Sequence, residues 1–92
     1  MTTVVRWQVR FTGHVQGVGF RATARSLAAG YPITGWVRNE PDGSVLLHAQ
    51  GEHEALRHFI SAIQGTMSGM IRNVDKGLIG LIDGENGFNA AS

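Results

Sequence analysis

VVRWQVRFTGHVQGVGFRA, residues 4–22, changes its period part-way along. Up to Thr12 the residues alternate, with Val5, Trp7, Val9 and Phe11 on one side and Arg6, Gln8, Arg10 and Thr12 on the other. That pattern predicts a strand with one buried face. Beyond Gly13, Gly17 and Gly19 the spacing lengthens, and Phe20, Ala24, Leu27, Ala28 and Tyr31 recur at helical intervals. Glycine loses more conformational freedom on folding than any other residue, so its concentration between strand and helix needs a reason. Either the chain turns tightly here, or bare backbone N–H groups come close to a ligand.

Working outward, Gly30 is positioned to end the helix and Pro32 blocks its continuation. ITGWVRN, residues 33–39, reads as a second strand in which Ile33, Gly35, Val37 and Asn39 share a face. EPDGS is the clearest turn in the chain, because Pro41 presets its dihedral, Asp42 can bond its own backbone and Gly43 permits a positive φ. It leads into SVLLHAQ and so predicts an antiparallel hairpin. Ala55, Leu56, Phe59, Ile60 and Ile63 mark a second amphipathic helix stopping at Gly65, with Glu52 and Glu54 at its electropositive start. One strand is expected from about Ile71 to Ile82 and a short last one around Phe88. The order strand, helix, strand, strand, helix, strand interleaves two crossover units. It predicts an α+β, ferredoxin-like βαββαβ sandwich: an antiparallel sheet with both helices on one face, residues 1–92 forming a single domain.

Composition narrows the function. The 92 residues carry a formal net charge of +1, which supplies no basic field for gathering nucleic acid. Arg6 and Arg10 interrupt the apolar start, so neither a signal peptide nor a membrane span is expected. The sequence contains no cysteine, which suits a cytoplasmic, reducing environment and removes thiolate chemistry. Its histidines are scattered, so no metal site and no cofactor are expected.

What remains is the glycine loop. Successive N–H groups entering a helix N-terminus can converge into an electropositive hollow. Arg21 falls in the first helical turn, where the helix dipole disfavours a cation unless an anion lies nearby. Its planar fork matches phosphate oxygens. These features together suit a cradle for one phosphoryl group; a tight turn with Arg21 on a solvated surface accounts for the same residues. The loop lacks the Lys-Ser/Thr ending of a Walker motif and the acidic partner of a dinucleotide fold, which argues against a whole nucleotide.

GHVQGVGFR followed by GWVRNEPDGSV resembles the signature pair of the acylphosphatases, small ferredoxin-like enzymes that hydrolyse acyl phosphates. The resemblance runs from Val5 through Phe59. It implies that the backbone of Val15, Gln16, Gly17, Val18, Gly19 and Phe20, together with Arg21, holds the phosphoryl group. It also implies that Asn39 positions the attacking water; without it, Asn39 is an ordinary residue before a turn. Ala22 and Thr23 stand where the family carries larger side chains, which implies either a wider substrate mouth or looser packing of the helix. The implied function is hydrolysis of acyl phosphates to carboxylate and inorganic phosphate by a monomer, with phosphate or sulfate as product or mimic. A non-catalytic regulatory domain binding acyl or carbamoyl phosphate is the alternative. An RNA-binding sheet is disfavoured by the charge balance and by a core position for Phe20.

Other side chains read as structural. His14, His48, His53, His58 and Arg38 read as surface residues, and Trp7 and Trp36 as packing residues of alternating strands. Arg25, one turn beyond Arg21, reads as solvent-facing, with a carboxylate on the substrate as its other possible partner.

Overall fold

The computed structural model describes residues 3–91. Strand β1 (Val4–Gly13) leads through the glycine loop into helix α1 (Phe20–Ala28), then to β2 (Ile33–Asn39) and β3 (Val45–Glu52). Helix α2 (His53–Thr66), β4 (Ile71–Ile79) and β5 (Phe88–Ala90) complete the chain. The sheet order is β4-β1-β3-β2-β5. Every pairing among the first four is antiparallel, while the short β5 adds to the edge parallel to β2. This is the ferredoxin-like βαββαβ sandwich, extended by one short strand. No helix among the described residues is long and apolar enough to cross a membrane.

Alternation in β1 does what the sequence demands. Trp7, Val9 and Phe11 are buried, as are Val45, Leu47 and Ala49 opposite them in β3. Phe20, Ala24 and Ala28 of α1 and Leu56, Phe59, Ile60 and Ile63 of α2 close over that face in one core. Aromatic contacts tie the layers together: Phe11 meets Phe20 at 4.9 Å between ring centroids, and Phe59 meets Phe88 at 5.3 Å.

The register decides what lies next to the loop. Phe11 and Asn39 both pair with Val45, so the three residues form one row across the sheet. Strands lie about 4.8 Å apart, which puts Asn39 about 10 Å from the last buried residue before the loop. Asn39 also shares a face with Val37, on the helix side.

Several boundaries differ from the sequence reading. Helix α1 ends at Ala28, and the chain tightens beyond it as the amides of Gly30 and Tyr31 donate to the carbonyls of Leu27 and Ala28. Gly30 is therefore not a left-handed cap. Helix α2 runs through Gly65 to Thr66. Strand β4 stops at Ile79 instead of Ile82, because the Ile82 backbone bonds a side chain: its N–H donates to Gln50 Oε1 at 2.9 Å and its carbonyl accepts from Gln50 Nε2 at 2.9 Å.

The larger correction concerns Arg6. Alternation assigned it to the solvent face, yet its side chain is completely buried. The segment between β4 and β5 reaches over that face, and Glu85 grips the guanidinium through two hydrogen bonds of 2.8 and 3.1 Å.

Candidate active site

Between β1 and α1 the backbone of Gly17 (φ 75°) and Gly19 (φ 77°) is left-handed, while every non-glycine neighbour has negative φ. This alternation is one in which successive peptide N–H groups converge on a hollow that suits an anion. Gly19 also caps α1 without any side-chain hydrogen bond, and the helix's first turn contains no acidic residue. The first helical bond runs from Thr23 N–H to the Gly19 carbonyl at 2.9 Å. The N–H groups of Phe20, Arg21 and Ala22 thus precede the helical ladder and have no acceptor within it.

Apolar side chains fix this loop from beneath. Val15 and Phe20 are buried and Val18 packs against the core, so only their backbones are available to a ligand. The side chain of Gln16 turns away from the hollow and latches the loop to the β2–β3 turn, where Nε2 donates to the carbonyls of Glu40 (2.8 Å) and Ser44 (2.9 Å). That turn is itself braced. Asp42 accepts from the hydroxyl and amide of Ser44, which hold its carboxyl below the ordinary 3.8, and Arg10 donates to the Ser44 hydroxyl at 2.7 Å.

Gly17, Gly19, Arg21, Arg25, Asn39 and Ala90 line a common cavity of about 390 Å³. Arg21 donates from Nη1 to the Ala91 carbonyl at 3.1 Å, which steadies the guanidinium and leaves the rest of its fork available. The loop, Arg21 and Asn39 expected from the sequence therefore meet in one place. A short strand was expected around Phe88, but its place as a wall of this cavity was not, since FNAAS carries only one apolar anchor. Neither was the latch role of the Gln16 side chain, for which a lone glutamine gives no signal.

Of the residues read as structural, Arg25 lines this cavity and the others lie elsewhere. His14 is exposed, beside Met70. Trp36 sits on the opposite face of the sheet between His48 (ring centroids 4.1 Å) and Arg38 (4.8 Å). Burial there pushes the His48 imidazole below its ordinary 6.5. Among the described residues no cluster of three metal-ligating side chains occurs.

The family model described as Acylphosphatase matches residues 7–89. An acylphosphatase of Salinibacter ruber is 44% identical over 87 residues, covering 94% of this chain and 92% of that one. The crystal structure of acylphosphatase from Bacillus subtilis aligns with a TM-score of 0.85 at 25% identity, over 98% of this chain and all of the other. An acylphosphatase from Coxiella burnetii gives 0.76 at 30% identity, over 96% and 93%. With sequence and structural likeness both spanning nearly the whole length, the chain belongs to the acylphosphatase family, enzymes that hydrolyse acyl phosphates.

Proposed function

We propose that this protein splits acyl phosphates by directing water at a phosphoryl group held on the amides of residues 15–20 and the guanidinium of Arg21. An acyl phosphate is a mixed anhydride whose leaving group is a carboxylate, a weak base that departs without a proton. The phosphoryl group passes through a loose transition state with charge on its equatorial oxygens, so catalysis is chiefly positioning and charge stabilisation. Preorganised amides and one guanidinium supply that stabilisation. The Asn39 carboxamide accepts a hydrogen bond from water and orients it in line, but it cannot act as a base. The water oxygen forms the new P–O bond, the anhydride P–O bond breaks, and the water's proton passes to a phosphoryl oxygen.

One observation carries this reading: Arg21, Asn39 and the two left-handed glycines open into the same cavity. The working unit in this reading is a monomer; sedimentation of the purified protein tests that. A cytoplasmic setting rests on the cysteine-free sequence.

Release of phosphate from benzoyl phosphate is the direct test. Arg21→Ala is expected to lower kcat/KM about 10³-fold, through binding and turnover together. Asn39→Ala is expected to lower kcat about 10²-fold with a small change in KM. Both variants keep the fold, checked by far-UV circular dichroism. Undiminished activity in both would sink the assignment, and phosphate binding without any turnover in the wild type would favour a regulatory domain.

A further inference from the structure

A second cavity of about 280 Å³ lies beside the first, and among the described residues Arg25 alone lines both. The topology arranges the two into one trough. Helix α1 runs away from the glycine loop, β2 returns toward it, and β5 lies parallel to β2 with Phe88 opposite Gly35 and Ala90 opposite Val37. Asn39 and Ala90 therefore mark the phosphoryl end, while Tyr31, Ile33 and Phe88 mark an apolar far end. Arg25 stands between them, one helical turn or about 6 Å beyond Arg21.

Its charge has no protein partner there. Arg6, Arg10, Arg38 and Arg57 each meet a carboxylate. Arg25 meets none among the described residues, nor do Arg21, Arg72 and Lys76, but of these only Arg21 and Arg25 line the two cavities, and no acidic side chain among the described residues lines either. A cation in the last turn of α1 suits the helix dipole, which accounts for the charge but not for its place over the trough. Arg21 and Arg25, four residues apart on one helix face, also repel each other.

Resting on the proposed reaction, we infer that Arg25 selects acyl phosphates whose acyl group carries a second carboxylate beyond an apolar spacer. Water oriented by Asn39 attacks from the loop end, and the acyl group departs along the trough. Its spacer lies along Ala22 and Ala90 in the first cavity, and its carboxylate reaches the Arg25 fork where the two cavities meet, short of the wall of Tyr31, Ile33 and Phe88. The bonds made and broken are those of the proposed hydrolysis; the second carboxylate only binds.

The test compares 4-carboxybenzoyl phosphate with its neutral counterpart 4-carbamoylbenzoyl phosphate, reading kcat/KM for each. The wild type is expected to prefer the carboxylated substrate about three-fold to ten-fold. Arg25→Gln is expected to bring that ratio close to one, whatever it does to both rates together. An equal ratio in wild type and Arg25→Gln overturns the inference and leaves the hydrolytic reading standing, since the neutral substrate is still consumed. A wild type that consumes neither removes the reading beneath, and this inference with it.

Discussion

At Gly19 the backbone adopts φ 77°, and a Cβ built there would meet nothing within 4 Å. An alanine is therefore opposed by conformation alone, at about 1–2 kcal/mol. Gly19→Ala should lower stability by that amount in urea titration. It should lower benzoyl phosphate turnover further, because the strain relaxes by rotating the amides proposed to hold the phosphoryl group. Gly35 is a different case: its Cβ would collide with the His48 carbonyl and the Ala49 backbone, so substitution there forces β2 and β3 apart. Arg21 and Asn39 stood out at this scale through the motif pair that resembles the acylphosphatases, since by residue type alone Asn39 reads as an ordinary residue before a turn; the structure adds that both line one cavity. Gln16 was legible only as backbone, because what its carboxamide grips is decided by a turn more than twenty residues away.

Among the elements, those with a clear period were read correctly: alternation in β1 and β2, helical recurrence in α1 and α2. Failures came where the partner is remote. Alternation tells which residues share a face but not what later covers that face, so Arg6 read as solvated although Glu85 buries it. Strand β4 was read too long for a related reason, since Gln50 captures the Ile82 backbone from across the sheet. The Arg6 guanidinium beside Glu85, together with its hydrogen bonds, holds that carboxyl below the ordinary 4.5. A depressed acid stabilises the fold above its unfolded pKa, and that contribution disappears as pH falls through the folded value. Wild-type stability should therefore fall as pH drops below about 4.5. Glu85→Gln, which leaves a buried cation without its counter-charge, should cost about 3 kcal/mol at neutral pH and flatten the acid limb. Guanidinium unfolding at a series of pH values separates the two.

For the molecule as a whole, the fold class followed from the order of elements and the short last strand around Phe88 was expected, whereas its parallel pairing with β2 was not. A three-residue strand whose pattern is set by its neighbour offers no periodicity to read. An anion that binds only the folded state stabilises it by mass action, about 2.7 kcal/mol at one hundred times its dissociation constant. Inorganic phosphate should accordingly raise the thermal midpoint by about 10 °C or more for a chain of this size, and Arg21→Ala should abolish most of the rise. Differential scanning calorimetry with and without phosphate measures it. The hairpin tip at residues 40–44 would pass for a harmless place to graft a peptide, being tight, polar and at the surface. Since Gln16 clasps two of its carbonyls, a graft there would unfasten the first crossover from the second strand and let Arg21 and Asn39 drift independently. Lengthening that tip should silence the enzyme while barely loosening its core.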